Sequence, residues 1–384
     1  MTQGVRTWVE IDSEALRHNA EQFLRFIPAD TRLMAVVKSN AYGHGLSTVS
    51  KILTGISDFR ARGWFGVDSL VEGLRLRREG IKNPILVLGY TLPARMREAA
   101  KEKIALTISN PESLKAIVEL RTRPAIHIKI DTGMHRQGFL PKDIPGVLKV
   151  LKRAKIAPQG VYTHFASAKD SEDPHYTQRQ YAEFQKSILA LEQAGFRNLI
   201  CHAAATGGAL LFPEMHLDMV RVGMGLYGYW PSPESKKKQR ELGIVLKPAL
   251  AWKTIIAEVK EIPEGSYIGY DGTEVVSKRT IIAVLPIGYW HGYDRGFSKI
   301  GEVLVRGRRA RVLGRISMDM TVIDVTDIPR VRVGDEVVLI GAQDKGAIWA
   351  DELALKIGTT AYEFLTRINP LIKRIVVEKS SLVK

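Results

Sequence analysis

From about residue 12 to residue 230, short apolar runs alternate with stretches whose apolar positions recur every three or four residues. The runs at 33–38, 64–69, 84–90, 104–109, 125–130, 159–165, 199–205 and 219–225 are nearly continuous in apolar residues, the signature of strands buried on both faces. Amphipathic segments between them, such as 72–79, 95–103, 111–120 and 178–194, predict helices. Strands of this kind separated by helices predict a parallel sheet. Eight units in about 220 residues fit an α/β fold of the (β/α)8 barrel type better than an open doubly wound sheet. No glycine-rich dinucleotide fingerprint follows the first strand, which weakens the open-sheet alternative further.

After about residue 240 the pattern changes. Helix periodicity nearly vanishes, and short runs at 252–259, 280–285, 302–305, 311–313, 320–325 and 336–340 are separated by Gly, Pro and Asp. They predict a mostly β C-terminal domain. We assign the barrel to 12–235 and the C-terminal domain to 236–384, with residues 1–11 expected to join the latter as a strand. The charged stretch around 231–240 is the natural boundary.

Composition narrows the class. Hydrophobic residues at 45% and charged residues at 25% exclude a disordered chain. A single cysteine, Cys201, excludes an intramolecular disulfide framework and a multi-cysteine zinc site. No apolar leader or membrane-length run is present, so a soluble, cytoplasmic protein with no membrane partner is expected. The net charge of +15 raises nucleic-acid binding as a possibility. Yet the basic residues cluster only at 236–240 and 306–311, and solvated surface is the preferred reading of both. An anionic substrate or a phosphate-bearing cofactor would equally gain from the field.

Barrel enzymes place their chemistry at the C-terminal ends of the strands. Here those ends carry Lys38, Lys129 with Asp131 and Arg136, His164, His202 and Arg221. Lys38 closes an apolar, β-branched run. If buried, its amine would be desolvated and nucleophilic, able to form a Schiff base with a carbonyl; the alternative is a strand-end lysine reaching solvent. The turns Thr206-Gly207-Gly208 and Gly223-Met224-Gly225 follow the last two strands, where this fold commonly binds phosphate.

The lysine segment 35–45, Asp131-Thr132-Gly133-Met134-His135-Arg136, Thr163-His164-Phe165, His202-Ala203-Ala204 and Met219-Val220-Arg221-Val222-Gly223 continue into Ile268-Gly269-Tyr270, Pro286-Ile287-Gly288-Tyr289 and Gly314-Arg315-Ile316-Ser317-Met318-Asp319. In this order and spacing the chain resembles the alanine racemase family across essentially its whole length. The resemblance implies an isomerase that uses pyridoxal 5'-phosphate and no metal, and that interconverts L- and D-alanine by two-base proton transfer. Lys38 is then the Schiff-base lysine and one base, and Tyr270 the opposing base. The resemblance implies that Arg221 faces the pyridine nitrogen, His202 holds Arg221, and His164 packs on the ring. Tyr42, Thr206, Gly223, Met224 and Tyr362 match phosphate-binding positions. Arg136, the Met318 backbone and Tyr289 match substrate-binding positions, and Lys129 matches a lysine that is carbamylated in many members. A homodimer in which Tyr270 and Met318 reach across to the partner's site, and a role in supplying D-alanine for the cell wall, are also implied.

Four departures from the family pattern stand out. Ala205 replaces a usual asparagine, Thr206 a commoner serine, His135 a frequent glycine, and Trp290-His291 the usual Ala-Asp. They leave open a racemase of serine or a larger, basic amino acid. A decarboxylase on the same barrel would need a cysteine in the C-terminal domain, and the only cysteine lies in the barrel. A non-catalytic cofactor carrier would lack the β domain.

Overall fold

The computed structural model describes residues 4–169 and 173–378; the outer ends of the two expected domains, 1–3 and 379–384, lie outside it. The chain forms two compact units. One comprises Leu16–Ala41 and Leu46–Leu246; the other takes the chain from Lys247 together with the N-terminal strand and Tyr42–Gly45.

The N-terminal strand β1 (Thr7–Asp12) belongs to the second unit. The first unit is then built on β2 (Arg32–Val36), β3 (Gly63–Val67), β4 (Ile85–Val87), β5 (Ala105–Ile108), β6 (Ile126–Lys129), β7 (Gly160–Tyr162), β8 (Ile200–His202) and β9 (Met219–Val222). All neighbours pair in parallel, in the order β8-β7-β6-β5-β4-β3-β2-β9. The ring closes from β8 to β9 where Arg221 N donates to Ala204 O at 2.9 Å and Ala205 bridges Arg221. Helices such as Leu70–Arg78, Pro111–Glu119 and His175–Gln193 connect the strands, so the (β/α)8 barrel is present. Leu33, Phe65, Val67, Leu86, Leu106 and Val161 are fully buried, as strands covered on both faces require.

The paired segments are shorter than the apolar runs that announce them. The run at 33–38 gives β2 up to Val36, and the run at 199–205 gives β8 up to His202. Val37, Ala203 and Ala204, beyond those ends, are still fully buried, so the apolar runs mark enclosure rather than the extent of the paired strand.

The second unit is mostly β: β10 (Leu250–Ile255), β11 (Glu258–Ile262), β12 (Tyr267–Ile268), β13 (Glu274–Val275), β14 (Thr280–Leu285), β15 (Glu302–Val305), β16 (Arg308–Leu313), β17 (Thr321–Asp324), β18 (Glu336–Gln343), β19 (Gly346–Ile348) and β20 (Lys373–Val377). The single strand expected at 252–259 is two. Ile256 N bonds Asp335 O while Ala257 N bonds Val284 O, so the chain changes partner between adjacent residues. Accordingly β10 pairs with β1 and β18, whereas β11 pairs with β14. β1 also pairs in parallel with β20, which ties the N-terminal strand to the far end of the chain. No helix among the described residues is long and apolar enough to cross a membrane.

The loops after β8 and β9 meet at a tight contact. An added Cβ at Gly225 would lie 2.5 Å from Phe23 Cζ and 2.9 Å from Thr206 Cγ2. The Phe23 ring is fully buried and cannot swing away. Gly225→Ala is therefore expected to destabilise the protein by about 1–3 kcal/mol, read as a lowered urea midpoint; an unchanged midpoint would mean that the ring yields.

Candidate active site

Lys38 follows β2 on a turn of unusual backbone. Ser39, Asn40, Ala41 and Tyr42 all have φ between 50° and 55°, the left-handed region, and none is glycine. Each such residue costs on the order of 1 kcal/mol, so the turn exists only because its surroundings hold it. Ala41 N donates to Val37 O at 2.8 Å, and Asn40 Oδ1 accepts from Leu46 N at 3.0 Å. Glu72 is the clamp. Its Oε1 accepts from Asn40 N at 3.2 Å and its Oε2 from Asp68 N at 2.9 Å, joining the turn to the loop after β3. The Asp68 carboxylate faces the Lys38 ammonium at 3.3 Å, and the lysine side chain is 38% exposed. Lys38 in the single chain is thus a partly exposed lysine paired with a carboxylate, the strand-end lysine reaching solvent rather than the buried one.

Arg221, on β9, is 3% exposed and points into the barrel. Its Nη1 donates to His202 Nδ1 at 2.8 Å. Its Nη2 donates to Thr163 O at 2.8 Å and Ala203 O at 2.7 Å, with His164 Nδ1 at 3.3 Å. Every acceptor is neutral. Among the described residues no carboxylate pairs with this guanidinium. Burial lowers its pKa to about 10, which still leaves it charged at neutral pH. Burial, reinforced by Arg221, pushes His164 down to about 3 and His202 well below an ordinary imidazole, so both rings are neutral acceptors.

Lys129, at the end of β6, is 6% exposed and donates to Gln137 Oε1 at 2.9 Å. Burial first, and then the charges of Arg136 and Arg221, lower its pKa to about 8 in spite of Asp131. Asp131 instead organises the loop: it accepts from Gly133 N, His135 N and Arg136 N at 3.0, 2.9 and 3.1 Å. Those bonds set the exposed Arg136 next to the β6 end. Between the loops after β8 and β9, Thr206 Oγ1 accepts from Gly223 N at 3.1 Å, and Thr206 and Met224 are both buried.

In the second unit, Tyr42 and Tyr362 meet edge to face at 6.1 Å. The Arg374 guanidinium holds this corner by donating to Gly43 O at 3.0 Å, Asn369 O at 2.7 Å and Ile372 O at 2.6 Å. Gly43 is obligatory: its φ is +84°, and a Cβ there would lie 2.1 Å from Leu365 O. Tyr270, Tyr289 and Met318 sit on loops that adjoin one another. Arg315 is ion-paired to Asp271, Tyr289 N donates to Ser317 O at 3.1 Å, and Trp290 N donates to Met318 O at 3.0 Å. All three are exposed in the single chain, Tyr270 at 67%.

This geometry has close relatives. Residues 11–231 match the alanine racemase N-terminal domain and residues 249–376 the alanine racemase C-terminal domain. The chain is 38% identical to an alanine racemase of Leptospira interrogans over 98% of this chain and 97% of that protein. The chain belongs to the alanine racemase family. It is also 40% identical to an alanine racemase of Halothermothrix orenii over 96% of each. Its structure superposes with a TM-score of 0.90 on the alanine racemase of Bacillus anthracis with bound L-Ala-P, at 35% identity over 99% of this chain and 97% of the other. The alanine racemase of Clostridium difficile 630 also gives 0.90, at 32% identity over 99% and 98%.

Family membership fits the barrel's contents. Lys38, Lys129, Arg136 and Arg221 form a cationic group, while Asp68, Glu72 and Asp131 are each committed to a lysine or to backbone N–H groups. Such a site attracts an anion. Sequence reasoning missed Asp68, Glu72 and Gln137, and named Thr163 within its motif without giving it a role. Of the three missed residues Asp68 left a trace, as the polar residue near the end of the run at 64–69.

Lys129 gives a pH signature. Its folded pKa of about 8 lies below the unfolded value of 10.5, so between these pH values the unfolded chain holds the extra proton. Stability then rises with pH across that window, by about 3 kcal/mol at most. Lys129→Met should abolish this gain in urea titrations from pH 7 to 10 in carbonate-free buffer; equal slopes for both proteins would place the ammonium in water.

Proposed function

We propose that this protein interconverts L- and D-alanine with pyridoxal 5'-phosphate bound in the barrel. The observation that carries the reading is Arg221, a buried cation whose protein partners are all neutral, within a chain of this family. Such a cation is costly unless a further acceptor completes its shell, and a pyridine nitrogen is one. Arginine keeps its proton, so that nitrogen would stay unprotonated. The donor set suits the rest of the cofactor. Lys38 offers an amine to the aldehyde and His164 a neutral ring to stack against, while Tyr42, Thr206, Gly223, Met224 and Tyr362 would hold the phosphate. When bound, the cofactor supplies an electron sink for the carbanion at the substrate Cα.

The chain's own groups do the remaining work. Arg136 receives the substrate carboxylate, a task suited to its fork of donors, and the Met318 backbone N–H assists. Lys38 Nζ takes or returns the Cα proton on one face, and the Tyr270 hydroxyl does so on the other. Tyr289 lines the approach. Lys129 is the group expected to react with carbon dioxide. With a pKa of about 8, about one tenth is free amine at pH 7. The amine adds to CO2 and loses a proton, turning a cation into an anion that faces Arg136.

We also propose a cytoplasmic homodimer in which Tyr270 and Met318 serve the partner's site. Its support is the exposed apolar cluster Tyr270, Tyr289, Trp290, Met318 and Met320 on adjoining loops, a patch of the kind that marks an interface.

Chiral analysis of L-alanine incubated with the cofactor-loaded protein tests the activity. D-alanine should form faster than D-serine, D-lysine or D-arginine from their enantiomers; a different preference would keep the chemistry and rename the substrate. Tyr270→Phe should lower kcat at least 100-fold with the cofactor still bound, and undiminished turnover would remove the second base. Native mass spectrometry in bicarbonate should show a dimer carrying one carbon dioxide per chain, lost in Lys129→Ala. A bare monomer that racemises alanine would refute both assignments.

A further inference from the structure

His127 lies on β6 beneath the site, is fully buried, and has no part in the mechanism above. Its Nδ1 is 3.0 Å from His202 Nε2, and His202 Nδ1 is 2.8 Å from Arg221 Nη1. We propose that His127 is a positioning residue: as the acceptor for His202 Nε2–H, it holds the His202 ring in the orientation that presents Nδ1 to Arg221.

The direction of this chain is forced. Arginine only donates, so His202 Nδ1 must be bare and its proton must sit on Nε2. That N–H can only donate to His127 Nδ1, which must then be bare as well. If His127 Nδ1 carried a proton and donated back, His202 would have to be an imidazolate. Both rings are therefore neutral Nε2–H tautomers. Burial, with the charge of Arg221 added, lowers His127 to about 4, in keeping with two uncharged rings.

The surrounding strands reserve space for this imidazole. A Cβ at Gly160, on the adjacent β7, would lie 2.5 Å from His127 Nδ1 and 2.6 Å from its Cε1. The Trp64 ring meets His127 edge to face at 5.6 Å. Tyr162 stacks on His202 with centroids 4.7 Å apart and planes 4° from parallel, and its hydroxyl lies 2.9 Å from Thr107 Oγ1. The His202 plane is thus fixed by stacking and its rotation by its two hydrogen bonds. Without His127, Nε2–H would be buried and unpaired, and the ring would gain by turning away from Arg221.

The inference rests on the racemase reading only for its effect on turnover; the tautomers can be read without it. Long-range 1H–15N spectra of protein labelled at histidine nitrogen should show bare Nδ1 and protonated Nε2 for both His127 and His202. A proton on His127 Nδ1 would overturn the proposal whatever the variants do. Among variants, His127→Asn keeps an acceptor at the Nδ1 position and His127→Leu does not. The leucine variant should lose about tenfold or more in kcat, with KM for alanine within about threefold and the absorption band of the bound cofactor shifted. The asparagine variant should recover most of kcat and the band. Equal losses in both would reduce His127 to packing, and a fully active leucine variant would remove its role; either overturns the proposal. Wild-type protein with the stated tautomers but no racemase activity would sink the functional reading and leave the histidine chain standing.

Discussion

A buried guanidinium without a counter-charge organises this barrel. Taking an arginine from water into the interior is expensive, and proteins usually repay that with a carboxylate. Arg221 has none. Two carbonyl oxygens and the ring nitrogens of two histidines surround it. Such a shell satisfies hydrogen bonds while leaving the positive charge intact and directed. A carboxylate here would have quenched the field that a ligand is to feel. Neutral histidines are suitable acceptors because burial, reinforced by the cation itself, keeps them deprotonated.

The same logic of enforced geometry governs Lys38. An ordinary strand-to-helix connection would not need four consecutive residues in the left-handed region. Here Glu72 spends both carboxylate oxygens on backbone N–H groups of two different loops, so the strained turn and the position of Asp68 are one feature. Strain held by a carboxylate that follows the next barrel strand fixes where the amine leaves the backbone. The Lys38–Asp68 pair is exposed, and such pairs contribute little to stability. Its value lies in keeping the amine where the turn delivers it.

The alternation of apolar runs and amphipathic segments was enough to read the barrel, because parallel strands covered on both faces leave a strong signal. The break between β10 and β11 was not readable, since the apolar run passes through Ile256 unbroken while the hydrogen bonds change partner. Lys38, Arg221 and the histidines were legible as polar interruptions at the ends of apolar runs. Glu72 was not, because it sits on an amphipathic helix where an acidic residue in the first turn is ordinary. His127 was hidden for the opposite reason: within the run at 125–130 it reads as one polar residue among apolar neighbours, and only the fold sets it against His202.

The departures from the family pattern have local physical explanations. His135 adopts φ of +52°, which explains why glycine is frequent there, and three backbone N–H groups donating to the Asp131 carboxylate hold the loop despite the side chain. Thr206 keeps the hydroxyl that a serine would supply, and that hydroxyl already accepts from Gly223 N. Its methyl group fills the space beside Gly225, so the residue change and the glycine contact go together. Ala205 bridges to Arg221 through its backbone, a task indifferent to its side chain. His291 is buried and its Nδ1 accepts from Gly288 N at 3.2 Å, closing the turn that carries Tyr289. Trp290, in contrast, is 59% exposed on that same turn. Trp290 and His135, whose side chain is 73% exposed, are the departures that change a surface another molecule can meet, so any change in substrate preference should be traced to these two first.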